Sequence, residues 1–383
     1  MPIGLLFFGY LAIMVAVYWI IPQQTARSWF LALISIAVIT YYDWRASSIV
    51  IFLSLFSYGV AVLIETKRKK LLIHRLAVCG IAIFLVVFKY LGLLTSTLDE
   101  LQRFFSVLPV LHFESLLLPL GISYITFKHI SYLTDVYWKV ATRGRFVDLL
   151  CYSSLFTIFV AGPIERFERF KPQVGGASQK FSTQFIEEGF RRIVYGLFKK
   201  YVIADWIGYF ASTVWGKSSN GDLGSTSIAL LGFSLQIYFD FSGYSDIAIG
   251  SSKCFGLTIM ENFNWQYLQP NISQFWRSWH ISLSDWIRDY VYFPLSNAHS
   301  GILWNLVAVP VGAMALCGLW HGAAWHYVIW GVWHGVGISV HQFWNRSKRR
   351  NPPLARMSNR QWFNVMSIAV TFVFVTIGWW WLR

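Results

Sequence analysis

The chain has 383 residues, 56% of them hydrophobic and only 13% charged. Soluble domains carry charge on about a quarter of their residues, so these values exclude an ordinary soluble protein and indicate a polytopic membrane protein. The net charge of +14 does not point to nucleic acid. Its cations lie in short loops between apolar runs, at 67–70, 191–192 and 199–200, as the positive-inside rule describes.

A helix crosses the hydrocarbon core with about 20 apolar residues. Candidate spans lie near 3–21, 28–42, 48–64 and 74–94 in the N-terminal part (1–115). Later ones lie near 116–134, 149–163, 188–212, 226–250, 303–320, 324–342 and 362–383. The first run has no basic flank and no small-residue cleavage site after it, so it reads as an uncleaved membrane helix. The basic ETKRKK loop after the third span is expected on the cytoplasmic side. The N-terminus and the 95–115 loop, with Asp99, Glu100 and Glu114 against Arg103, then face outward. The basic 347–360 stretch reads as a second cytoplasmic loop. Cys79, Cys151, Cys254 and Cys317 form neither a disulfide framework nor a zinc pattern.

Three segments do not behave like plain spans. In AGPIER (161–166), Gly162-Pro163 is expected to stop a helix. In QIYFDFSGYSDIAIG (236–250), Asp240 and Asp246 interrupt an apolar run, and Ser242-Gly243 permits a break lining a cavity. Residues 271–295 carry Arg277, Asp285, Arg288 and Asp289 among aromatics. Each such charge costs roughly 2.5–3.5 kcal/mol at mid-membrane, so this segment belongs at an interface or a watery chamber. There Asp285 and Arg288 can pair, His280 and Ser284 are expected to share a helix face with Trp276, and Pro294 to end the helix.

CGLWHGAAWHYVIWGVWHG (317–335) places His321, His326 and His334 in a membrane-like run. Ionisable groups at that depth are costly and mark a cavity or pathway. His326, His334 and His341 read mainly as packing or helix-end residues. No third ligand is spaced to make His334 and His341 a metal site, so no metal is expected.

Together FDFSGYSDIAIG, ENFNWQYLQPNISQFWRSWHISLSDWIRDYVYFPL and CGLWHGAAWHYVIWGVWHG resemble the signature blocks of membrane-bound O-acyltransferases. The blocks resemble the bacterial branch of alginate O-acetylation proteins well, and D-alanyl transfer proteins more distantly. PLGISYITFKHISYLTDVY and VAGPIERF fit the same branch. The resemblance implies a single membrane domain over 1–383, with the signature blocks and chamber in 116–383. It implies an all-α bundle of about nine to eleven transmembrane helices around a central chamber, with re-entrant or interfacial segments. It carries the family's histidines onto His321 and His280. Two departures stand out: SNAHSG follows FPL where relatives have a glycine-rich basic stretch, which puts a loop contact in doubt, and the chain stops at GWWWLR where longer relatives continue, which would fit a shorter subfamily with a different acceptor.

Acyl transfer to an alcohol needs a base for the hydroxyl proton, and histidine suits this near neutral pH. His321 is the expected base. His280 would orient the acceptor, assist proton transfer or hydrogen-bond the oxyanion. Trp276, Trp279, Ser284, Arg288, Trp320, Asp240 and Asp246 are candidate substrate-side residues. For Asp240 and Asp246, structural pairing is an equal alternative. For Arg288, pairing with Asp285 is favoured over a donor-phosphate contact. No cofactor is expected beyond an acyl thioester donor, such as acetyl-CoA or an acyl carrier protein. The expected acceptor is an extracytoplasmic glycan or a periplasmic acyl-relay protein, and the expected location a bacterial inner membrane. D-alanyl transfer to a teichoic-acid-type acceptor is an alternative. A proton-coupled transporter is a third reading, weakened by the lack of an inverted repeat.

Overall fold

The structure, a computed structural model, describes residues 5–105, 118–176, 179–217 and 222–383. Among them no strand forms, and the protein is an all-α polytopic membrane protein. Five helices are long and apolar enough to cross a membrane: Gln24–Tyr42, Trp44–Thr66, Lys70–Thr97, Trp304–His321 and Gln361–Leu382. Phe7–Ile20 is apolar but shorter.

The chain divides into two compact units, Met1–Val194 with Asp246–Met260, and Tyr195–Ser245 with Glu261–Arg383. In the first, α1 (Leu5–Ile20), α2 (Gln24–Tyr42), α3 (Trp44–Thr66) and α4 (Lys70–Phe105) follow one another through short connections. Asp43 starts α3 by accepting from the Arg45 amide at 3.0 Å, and its other oxygen accepts from the Leu120 amide at 2.9 Å. The acidic 95–115 segment is helical as far as Phe105, and 106–117 lie outside the described residues. The segments α5 (Ile122–Trp138) and α6 (Phe146–Ser154) pack against α2 and α3.

The expected span at 149–163 is not formed. Helix α6 ends at Ser154, before Gly162-Pro163, and the chain continues in turns. Its apolar residues, such as Leu149, Leu155 and Phe159, are buried in the protein, so they are apolar because they are core. Helix α5 is likewise buried along most of its length. After α7 (Phe167–Gly175), the 188–212 run is interrupted: α8 (Thr183–Leu197), a π-helical stretch Phe198–Ala204, then α9 (Asp205–Lys217).

The expected break at Ser242-Gly243 is absent. Helix α10 (Leu223–Cys254) runs through it without interruption. Gly243 serves close approach instead: a Cβ there would sit 2.7 Å from the Gly196 carbonyl oxygen.

The second unit holds the short helices α11 (Ile272–Ser278), α12 (Ile281–Ile287) and α13 (Phe293–Ala298). Pro294 does not end a helix. It falls in the first turn of α13, directly after a π-helical stretch, Arg288–Tyr292, where the widened ladder tolerates a missing N–H. Then come α14 (Val309–His321), α15 (Trp325–Arg350), α16 (Pro352–Ser358) and α17 (Gln361–Gly378). The pair α14–α15 meets backbone to backbone. A methyl on Gly331 would run into the Met314 carbonyl, and one on Gly318 into the Tyr327 carbonyl. Small residues of this kind let membrane helices approach closely.

Candidate active site

His280 does not share a helical face with Ser284 and Trp276. It stands between α11 and α12 in the left-handed region, φ 43° and ψ 54°, which non-glycine residues adopt uncommonly. The cause is tertiary. Asn262 reaches across to cap α12: its carbonyl accepts from the Ile281 amide at 3.0 Å, and its side-chain oxygen accepts from Ser282 Oγ at 2.7 Å. The Asn264 amide donates to the Ser278 carbonyl at 3.0 Å on the other side of the break. Nothing local around His280 signals this turn, because its cap lies far upstream in ENFNW.

The His280 side chain is 1% exposed, and neither ring nitrogen has a hydrogen-bond partner. Its imidazole meets Phe241 edge-on at 4.6 Å between centroids and Trp320 at 5.9 Å. His321 is the last residue of α14 and is only partly buried. It meets the other side of this group, 4.8 Å from Trp320 and 5.0 Å from Trp330. Two histidines far apart in sequence therefore flank one indole.

Trp276 and Trp279 stand in the same aromatic mass. Trp276 meets Trp330 at 5.6 Å and His334 at 5.2 Å, and Trp279 meets Trp379 at 5.1 Å. His334 is fully buried with both ring nitrogens unbonded, enclosed by rings that include Trp330 and Phe374.

A cavity of about 220 Å³ runs beside this centre. Its apolar wall includes Pro310, Ala313, Met314 and Cys317, the face of α14 that His321 continues four residues later. Trp276, Ser284 and Arg288 line it as well. Arg288 is held by Asp285 at 2.5 Å and Asp289 at 2.9 Å, the ion pairing that the spacing favoured. At its polar end the cavity shares Ser273, Arg277 and Gln342 with a hydrophilic recess of about 410 Å³. That recess adds His341, Asn345 and Lys348. Arg277 is exposed, and among the described residues no carboxylate pairs with it. His341 is tied on both sides, to Ser273 at 2.9 Å and Asn345 at 3.1 Å.

Asp240 and Asp246 are not gathered into this group of rings. Asp240 pairs with Lys200 in the second unit, and Asp246 pairs with Arg192 at 2.9 Å in the first. The basic recess was not anticipated. Helical periodicity holds part of the signal, since His341, Gln342, Asn345 and Lys348 fall at spacings of three and four, but the Arg277 contribution comes from another helix.

A family model described as MBOAT, membrane-bound O-acyltransferase family, matches residues 36–378. Probable alginate O-acetylase AlgI of Pseudomonas putida is 33% identical over 384 residues, spanning 97% of this chain and 74% of that protein. Peptidoglycan O-acetyltransferase of Helicobacter pylori is 32% identical over 299 residues, 70% of this chain and 55% of that protein. Teichoic acid D-alanyltransferase of Bacillus subtilis is 33% identical over 271 residues, 68% and 67% of the two chains. With its helical membrane fold and a family match over nearly its whole length, the chain belongs to the membrane-bound O-acyltransferase family and is an acyltransferase.

Proposed function

We propose that the protein transfers an acetyl group from a cytoplasmic thioester to a hydroxyl of an extracytoplasmic polysaccharide or of an acyl-relay protein, in a bacterial inner membrane. The observation that carries the assignment of residues is the convergence of His280 and His321 on Trp320. His321, partly accessible at the end of α14, takes the acceptor proton on a ring nitrogen as the oxygen attacks the thioester carbonyl. His280, its nitrogens unbonded, donates a hydrogen bond to the developing oxyanion. Collapse of the tetrahedral intermediate breaks the C–S bond, and the imidazolium of His321 returns the proton to the leaving thiolate. The product is an ester, and no acyl-enzyme forms.

The cavity beside α14 supports a donor route. Arg277 at its polar end suits a phosphate-bearing donor such as acetyl-CoA. The apolar stretch from Pro310 to Cys317 then leads toward His321. Trp276, Trp279 and Trp320 act as walls, and Ser284 and Arg288 as cavity lining. Asp240 and Asp246 are read as structural, because each holds a cation. The family match crosses both compact units, so the chain is read as one catalytic domain.

The test is purified protein in liposomes, with acetyl-CoA and a hydroxylated glycan acceptor. Release of free thiol and ester formation are expected together, and both are lost in His321→Ala. Undiminished turnover in that variant, or a trapped acetyl-protein on the pathway, refutes the mechanism. A second reading, D-alanyl transfer to a teichoic-acid-type acceptor, draws on the Bacillus subtilis relative. Turnover with a D-alanyl-loaded carrier protein, and none with acetyl-CoA, selects it.

A further inference from the structure

A second crevice lies between α15 and α17, with a volume of about 500 Å³. It is graded along its length. One end is apolar, walled by Trp333, Val336, Val370 and Phe374, and the other is polar, with Asn271, Lys348, Ser358 and Asn364. From Trp333 to Lys348 is fifteen residues of helix, about 22 Å at 1.5 Å per residue. Half of a hydrocarbon core is about 15 Å, so the crevice has the length of one lipid leaflet with its headgroup.

The two helices are fastened at both ends. At the apolar end the Trp333 indole N–H donates to the Phe374 carbonyl at 3.1 Å, and Gly337 makes room for the Phe374 ring. At the polar end Trp344 stacks on Phe363 with centroids 6.0 Å apart. Between these points the rim residues Val340 and Val370 are 63% and 62% exposed. The opening is therefore a fixed part of the fold.

Charge singles out the occupant. Arg346, Lys348, Arg349, Arg350, Arg356 and Arg360 all fall in 346–360, the stretch from which Lys348 and Ser358 line the polar end, and no Asp or Glu occurs anywhere after Asp289. Among the described residues, none of these six cations has a carboxylate partner. An uncompensated basic cluster beside a membrane helix attracts anionic lipid, and the apolar length of the crevice asks for a chain attached to that anion.

We propose that this crevice binds an anionic phospholipid of the surrounding bilayer, its phosphate at Lys348 and one acyl chain laid along Val336, Val340 and Val370. The proposal is independent of the acyl-transfer chemistry, since its readout is bound lipid. The full chain is reconstituted in bilayers of equal parts phosphatidylglycerol and phosphatidylcholine, re-extracted and washed, and its retained lipid is quantified by mass spectrometry. Wild-type protein is expected to retain phosphatidylglycerol preferentially. Val370→Trp, which fills the crevice from an exposed position, should lose retained lipid of both kinds several-fold. Met366→Trp fills it independently and serves as the second variant. Lys348→Ala should keep a chain but lower the preference for phosphatidylglycerol about fivefold, the equivalent of ~1 kcal/mol for one basic residue. The proposal fails if both tryptophan variants, folded as judged by elution and melting, retain wild-type amounts of phosphatidylglycerol. It also fails if wild type retains the two lipids in their supplied ratio, or if glycerol phosphate alone strips the bound lipid.

Discussion

The Glu165 network of the first unit and the buried histidines of the second hold polar groups in opposite ways. In the first, Glu165 is fully buried, yet its carboxylate accepts from the Arg166 amide at 2.9 Å and the Met260 amide at 2.8 Å. Lys128, 2% exposed, donates to the Tyr152 carbonyl at 2.9 Å, and Tyr152 in turn donates to the Glu165 carbonyl at 2.8 Å. In the second, His280 and His334 are as deeply buried but form no hydrogen bond. Buried polar groups without partners are rare and need a reason. A saturated network holds a fold together, whereas an unsaturated imidazole has bonding capacity to spare, which the proposed oxyanion role of His280 would use. His129 in the first unit is also buried and unbonded, so the property alone does not mark a reaction centre. What sets His280 and His334 apart from His129 is the imidazole of His321, which shares Trp320 with His280 and Trp330 with His334.

The sharpest way to break this contrast is His321→Ala. Loss of a general base costs typically 10²–10⁴-fold in kcat, and the melting temperature should barely change because the ring is only partly buried. A large drop in melting temperature at unchanged kcat would make His321 a packing group. Glu165→Ala should do the reverse. It leaves two buried amides without an acceptor, at about 1–3 kcal/mol each, so denaturation should shift by about 3 kcal/mol while turnover per folded molecule holds. His280→Asn should lower kcat by roughly 10²-fold, the usual cost of one oxyanion donor. Its stability should change little, because Asn tolerates the left-handed backbone; equal losses in kcat and stability would assign His280 to the fold. The smallest effect belongs to Arg277→Ala. Removing one charged contact, worth about 1.5 kcal/mol, should raise the KM for a phosphate-bearing donor about tenfold with kcat unchanged, and an unaltered KM would remove the basic recess from the donor route.

Sequence pattern read the long apolar helices well, because a lipid-facing helix must be apolar over its full length. It misread 149–163 because a segment buried in protein is equally apolar. It expected a break at Ser242-Gly243 where the glycine admits a neighbouring backbone, and a helix end at Pro294 where a π-helical turn absorbs the proline. Motif resemblance singled out His280 and His321, and the structure sets both rings against one indole. The turn that carries His280 was not legible, since Asn262 enforces it from outside the segment. The basic recess was missed for the same kind of reason: its cations come from α11 and α15, and no linear window contains both.

The backbone contact between α14 and α15 bears on engineering. Because Gly318 and Gly331 leave no room for even a methyl group, neither helix can shift along the other to widen the space around His321. On the proposed mechanism, libraries seeking transfer of bulkier acyl groups should keep both glycines and vary Trp276, which lines the cavity beside α14, where a side chain rather than main chain sets the clearance.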